Sequence, residues 1–253
     1  MTYENFDFEN SKKKDDGKRY GMVLSHKTDT SLYQIAYDKT DTNTFQPPLP
    51  HNLHVNKYYL KYKHKLDNKQ YVSLSYVTID DNLMEAVDGG NIYGLGYKYG
   101  PLALHQYISD YDQFNVYQTD IVYVFKKRLS DVFVSAKILA KYIHIQDKNS
   151  NDYSKNAKED YLTPGFKLHA HYKSYHMGAG AYFGKRIFTV MKDGLKVQDH
   201  AMEFNKTYML GIGKHFNDID ISVKYVYQEA TEIPILNENV KVDNIILQVG
   251  YRF

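Results

Sequence analysis

The chain has no cysteine, no tryptophan and only 6 prolines among its 253 residues. Without cysteine there is no disulfide framework, no thiolate nucleophile and no cysteine-based zinc site, and redox chemistry says nothing about compartment. No stretch approaches the roughly 18 to 20 consecutive apolar residues that a membrane-spanning helix needs, so a helical membrane bundle is excluded. The mean hydropathy, −0.58, agrees. An excess of one charge is also missing: 32 basic residues against 30 acidic leave +2, which makes no case for nucleic-acid binding. Residues 1–17 hold no apolar core of the signal-peptide kind, so any such peptide is expected to have been removed already.

What the chain does have is 26 tyrosines, 12 phenylalanines and 43 % apolar residues, enough for a folded protein rather than a disordered one. The apolar residues recur at every second position, in segments of about eight to twelve residues separated by turn signals, which is the period of a β-strand. In the last segment Ile245, Leu247, Val249, Tyr251 and Phe253 share one face, while Asn244, Ile246, Gln248, Gly250 and Arg252 share the other. Twelve similar segments precede it, at 20–26, 33–38, 58–63, 71–77, 93–98, 102–108, 117–125, 132–142, 162–172, 175–183, 207–215 and 219–228.

The connections alternate in length. Short ones fall at 27–30, 65–69, 100–101, 126–131, 173–174 and 217–218, and longer polar ones at 40–54, 80–90, 109–113, 146–160, 184–203 and 229–240. Tight turns at one end and long loops at the other are the pattern of a transmembrane barrel, with its turns in the periplasm. The final strand must then descend to the periplasm, so an ascending strand has to precede residue 20; residues 3–8 supply it. The expected fold is an all-β, antiparallel up-and-down barrel of 14 strands, a single domain over residues 1–253.

A soluble β-sandwich also alternates, but it buries its apolar face and wets the polar one. Here the polar face carries Ser73, Ser75, Gly94, Gly96, Gly178, Gly180, Gly211, Gly213 and many charges, which suits a closed wall around water. The apolar face ends in tyrosines at both margins: Tyr62, Tyr97, Tyr172 and Tyr175 at one, Tyr37, Tyr76, Tyr142 and Tyr227 at the other. A phenol suits the lipid–water boundary because its ring sits among acyl chains and its hydroxyl among headgroups.

The terminal Val-Gly-Tyr-Arg-Phe, with Tyr251 and Phe253, resembles the carboxy-terminal signature of Gram-negative outer-membrane β-barrel proteins, and the hairpin regularity extends that likeness over nearly the whole chain. In size the chain resembles monomeric fourteen-stranded porins, without a subfamily motif. The resemblance implies a bacterial outer-membrane location, contact with lipid and lipopolysaccharide, and recognition of the last aromatic residue by the barrel-assembly machinery.

With the tyrosine-rich face against lipid, Arg19, Lys61, Lys63, Lys98, Lys137, Lys141, Lys167, Lys224 and Arg252 point inward against Asp38, Asp120 and Asp220, joined by Asp7 and Glu9 if residues 3–8 form the first strand. Such a wall concentrates anions. The leading expectation is a passive channel for small polar solutes with some anion preference; lysines paired with loop carboxylates would weaken that preference. Around the 173–174 turn His171 faces His176 with His169 two residues along, and His215 opposes Asp220 across 217–218. Three imidazoles are a possible transition-metal set. Eleven histidines also produce neighbours by chance, so no metal or cofactor is assigned. Asp120 is expected to face Lys137 as a wall ion pair, and Gly94 and Gly96 to make room for Tyr107 and His105.

Two other classes stay open. An outer-membrane enzyme would need a Ser-His or Asp-His constellation at the loop end; His200 beside Asp199 has no serine to complete it, and no catalytic residue is assigned. A transporter of hydrophobic molecules would need an apolar lumen and a plug, and only Val122, Leu139, Val226 and Ile246 make apolar spots on the inner wall. The loop 184–203 reads as a hairpin around Asp-Gly that extends the barrel outward, and the proline-rich 44–51 as a stiff segment near the mouth.

Overall fold

A computed structural model describes residues 1–84, 86–150, 152–198 and 200–252, so Phe253 and Asp199 lie outside the described residues. The strands are β1 (Thr2–Glu9), β2 (Lys14–Lys27), β3 (Ser31–Thr44), β4 (Leu53–Lys65), β5 (Gln70–Asp81), β6 (Asn91–Tyr99), β7 (Leu102–Asp110), β8 (Asn115–Leu129), β9 (Val132–Gln146), β10 (Asp160–Tyr172), β11 (Tyr175–Arg186), β12 (Val190–Met191), β13 (Lys196–Val197), β14 (Met202–Phe216), β15 (Ile219–Glu232) and β16 (Asn237–Tyr251). Fourteen of them close into one antiparallel barrel, each paired with its chain neighbour; β12 and β13 form a separate two-stranded sheet inside the loop between β11 and β14.

Closure comes from β1, which pairs with β2 on one side and with β16 on the other, from Thr2 opposite Gln248 to Glu9 opposite Lys241. The short acidic segment 3–8 is therefore a barrel strand. Its inward residues are Glu4, Phe6 and Phe8, whereas Asp7 and Glu9 are exposed on the outer face, opposite to the expectation. Phe8 meets an apolar patch there: with Phe204 it packs on Met202, Ala230, Val240 and Val242.

Alternation sets the two faces. Ile138 is 67 % exposed and its neighbour Leu139 only 8 %, so the apolar side chains on the outer face have no protein cover. Uncovered aliphatic and aromatic residues around a closed wall fit lipid, not water. Tyr62, Tyr97, Tyr172 and Tyr175 stand on this face toward the turn end, and Tyr37, Tyr76, Tyr142 and Tyr227 toward the loop end. Several of the phenols end on polar partners: Tyr37 on Asn56, Tyr76 on Asn91, Tyr97 on Gln70 and Tyr142 on Asp160. Tyr251 is exposed at the end of β16.

The turns at 100–101, 173–174 and 217–218 place Tyr99 opposite Leu102, Tyr172 opposite Tyr175 and Phe216 opposite Ile219. One register differs. Strands β8 and β9 run on to Leu129 and Val132, so the turn is Ser130–Asp131, with Ser130 at a φ of 52°. Asp120 then lies opposite Lys141, and Lys137 opposite Val124. The run 126–131 reads as a turn in the sequence, but its first four residues, Lys126 to Leu129, are strand that projects beyond the apolar belt, where polar side chains on both faces cost nothing.

Candidate functional site

The interior divides into two halves of different chemistry. Toward the loop end many inward positions are apolar: Leu53, Val55 and Tyr59 on β4, Val77 and Ile79 on β5, Ile92 on β6, Val116 on β8, and Ile143 and Ile145 on β9, all at most 2 % exposed. Such residues stay dry only if something covers them. The cover includes the loop 187–198, which folds into the barrel rather than away from it, and Val87, Tyr111, Phe114, Ala157 and Ile233 of the other loops join the same cluster. Ile187 and Phe188 are fully buried, and Phe188 packs on Phe114 at 4.9 Å, Tyr153 at 5.7 Å and Tyr111 at 6.0 Å between ring centroids. Fully burying two such side chains is worth about 1.5–3 kcal/mol each. The outward hairpin expected from the sequence would have left both in water. Part of the tyrosine excess serves this interior as well: Tyr59, Tyr107, Tyr161 and Tyr182 are buried inside the wall.

Polar side chains of the wall fasten the loop. Gln118 receives the Val190 N–H at 2.8 Å and donates to the Val190 carbonyl at 2.8 Å, matching the backbone as a neighbouring strand would. Lys141 donates to the same carbonyl at 3.0 Å and to Asp120, while Asp120 accepts a second bond from Gln118 at 2.8 Å. On the other side Lys57 reaches Val197 O, and Lys196 lies 3.5 Å from Glu4. Glu4 and Asp38 each bind Arg19 at 2.8 Å. Arg19, Asp120 and Lys141 thus face the interior but are sealed beneath the loop, not bathed by a pore. Gln118, Glu4 and Lys57 are fasteners that period-two reading passes over, because inward polarity alone does not separate a fastener from a water-lined residue.

The loop tip reaches the middle of the barrel. Lys61 donates to the Asp193 carbonyl at 2.7 Å, and Gly194, at a φ of 91°, lies so close to β5 that an added Cβ would be 2.6 Å from Ser75 Oγ. Below the tip lies a cavity of about 220 Å3 whose lining includes Lys61, Lys63, Lys98, Lys137, Lys167 and His105. Among the described residues the one carboxylate in this lining is Asp193. Burial pushes its carboxyl up, yet Lys61, His105, Lys137 and Lys167 together hold it below the usual carboxylate range. Tyr71 carries two of the ammonium groups over its ring, Lys63 at 4.3 Å and Lys98 at 5.6 Å. Lys224 borders a neighbouring cavity of about 480 Å3 with His169, Lys137 and Lys167. Further toward the turns His171, His176, His215 and Asp220 gather on the wall, and Arg252 follows β16 at the rim, its N–H bound to Asp218 O.

At the loop end a separate cup of about 470 Å3 opens above the folded loop, lined by Leu49, Pro50, Leu83, Met84, Tyr153 and Met202 with Lys13, Lys14, Asp152 and Glu232 at the polar positions. The proline-rich segment contributes Leu49 and Pro50 to it.

A closed antiparallel barrel that is apolar outside, crosses with strands and keeps long loops at one end is a transmembrane β-barrel of the outer-membrane type. No family model and no curated protein matches the sequence. Solved structures with this fold include a bacterial polysaccharide outer-membrane secretin (TM-score 0.56, 9 % identity, 100 % of this chain and 98 % of that one). A Pseudomonas aeruginosa FadL homologue (0.54, 7 %, 99 % and 88 %) and the Acinetobacter baumannii outer-membrane protein Omp33 (0.51, 9 %, 100 % and 97 %) are also similar. At such identities the likeness is one of fold.

Proposed function

We propose that the chain is an outer-membrane channel for small polar solutes that favours anions and is held shut by the loop 187–198. The observation that carries this reading is the cavity beneath the loop tip, where Lys61, Lys63, Lys98, Lys137 and Lys167 surround one carboxylate, Asp193. In a confined, poorly screened space that imbalance raises the local concentration of anions. Asp193 belongs to the movable element, so withdrawing the loop removes the stopper and the carboxylate together. The location that goes with this reading is the Gram-negative outer membrane, with lipopolysaccharide around the loop end and the barrel-assembly machinery as the folding partner.

The test is the reversal potential of a loop-shortened variant in a planar bilayer under a salt gradient. Anion selectivity is expected, and K63E/K98E/K137E, which reverses three charges at half-exposed or exposed positions, should change the sign of the potential. A cation preference before those substitutions refutes the proposal. A second reading, transport of small hydrophobic molecules, is favoured by the cup at the loop end and by the apolar interior under it. It predicts saturable binding of a fluorescent fatty-acid analogue that M84D weakens at least about tenfold, roughly 1.4 kcal/mol of lost contact.

A further inference from the structure

We propose that the turn end of the barrel carries a binding site for one divalent transition-metal ion of the zinc class, made by His176 on β11, His215 on β14 and Asp220 on β15, with His171 on β10 as the adjoining imidazole. Three adjacent strands present these groups on the inner face because the two-residue turns fix the register: His171 lies opposite His176, and His215 opposite Asp220. His176 and Asp220 are not cross-strand partners; they meet because the residue between them on β14 is Gly213, opposite both His176 and Ser222. A Cβ at Gly213 would fall 2.3 Å from His176 Nε2. Bare backbone at that point lets the imidazole lie across the strand and reach the carboxylate.

The result is a convergence of donors. His176 Nε2 is 2.9 Å and His215 Nδ1 2.7 Å from the same oxygen, Asp220 Oδ2. One ligand atom from each of the three lies within 4.8 Å of the others. Zinc bonds of about 2.0–2.1 Å in a tetrahedron put neighbouring donors about 3.3 Å apart, so the shifts needed are fractions of an ångström for the two short pairs and a modest closure of the two rings. The His171 ring stands parallel to that of His215, 6.1 Å away, and 5.6 Å from that of His176. Two or three imidazoles with a carboxylate suit zinc, copper(II) or nickel and leave magnesium and calcium, which want an all-oxygen shell, poorly served.

Access and charge agree. The side chain of His215 is 45 % exposed and that of Asp220 35 %, so an ion reaches the site from the turn-end water without moving the loop. The opposing inward charge on β15, Lys224, is four residues along the strand, about 13 Å at 3.3 Å per residue. The site is separate from the loop-closed cavity, and an ion bound there pins the turn-end mouths of β11, β14 and β15 together whether or not the barrel conducts.

The experiment uses the full chain, purified in detergent at about pH 7.5, where imidazoles are neutral ligands. Zn2+ is titrated in competition with a chromophoric chelator, and Co2+ is substituted to read tetrahedral coordination from its visible bands. Binding of an ion that H176A/H215A removes, with D220N weakening it at least about tenfold, is the expected result. G213A should act like the double variant by displacing the His176 ring. Gel mobility with and without heating confirms that each variant is a folded barrel, and the conservative D220N keeps the measurement interpretable should a histidine variant fail that check. An unchanged zinc stoichiometry in folded H176A/H215A, or Co2+ bands of octahedral type, overturns the proposal. Effective competition by Mg2+ or Ca2+ overturns the metal class.

Discussion

Replacing residues 187–199 by a short Gly-Ser linker is expected to raise the unitary conductance in a planar bilayer by on the order of tenfold or more and to let small sugars swell proteoliposomes. Eight-stranded barrels fill their own interiors with side chains, while sixteen-stranded ones leave an aqueous channel. Fourteen strands fall between, and in the proposed reading the inserted loop, rather than the wall, supplies the closure. The wall does not depend on that loop: β11 pairs directly with β14 from Tyr175 opposite Lys214 to Arg186 opposite Phe204, and the linker only bridges that strand end. In the intact chain Ile187 and Phe188, buried at about 1.5–3 kcal/mol each, and the two-bond clamp from Gln118, at about 0.5–1.5 kcal/mol per bond, hold the closed form. The entropy of ordering the loop offsets part of these contributions, and a net bias of a few kcal/mol leaves the open form as a minor state, roughly 0.1–10 % of the population. The unmodified protein should therefore show rare, brief openings. A folded, loop-shortened barrel that conducts no better than the intact one would place the obstruction in the wall and refute the loop as a gate.

The barrel was legible in the sequence because alternation is a strong signal wherever a wall separates two solvents. Ile245, Leu247, Val249 and Tyr251 face out with Ile246 and Gln248 between them, and the two-residue turns at 100–101, 173–174 and 217–218 fixed which residues meet across three hairpins. Legibility failed where the solvent changes. Beyond the apolar belt the run Lys126–Lys127–Arg128 is polar on both faces and looks like a turn, which shifted Asp120 from its true partner Lys141 to Lys137. In β1 the inward placement of Asp7 and Glu9 was off by one face, since Glu4, Phe6 and Phe8 point inward and Phe8 meets an apolar patch inside the barrel. The largest departure was the direction of the 184–203 hairpin, expected to extend outward and found folded inward. Ile-Phe-Thr-Val at 187–190 signals burial, but period and turn chemistry give the local hairpin and no direction relative to the barrel axis; that follows from the apolar inner face of strands far away in the chain.

Substituting Asp120 by alanine is expected to destabilise the protein by about 3–5 kcal/mol, because it leaves the Lys141 ammonium buried without its carboxylate. Both side chains are under a tenth exposed, and Lys141 would keep only the Val190 carbonyl, a neutral acceptor at 3.0 Å. For a chain of this size such a loss lowers the unfolding temperature by roughly 6–20 °C, read from the temperature at which the compact gel form disappears. The local response is to release the strain by swinging Lys141 into water, which also withdraws it from Val190 and deprives Gln118 of the carboxylate that orients its amide. D120A should accordingly open more often than the intact barrel. The double substitution D120A/K141M separates charge from geometry: removing both members of a buried pair and filling the space with an apolar side chain is close to neutral, so most of the lost stability should return. If D120A melts like the intact protein, water reaches Lys141 and the loop-end interior is not sealed; if D120A/K141M is no more stable than D120A, the lost packing of Asp120, and not a stranded ammonium, accounts for the cost.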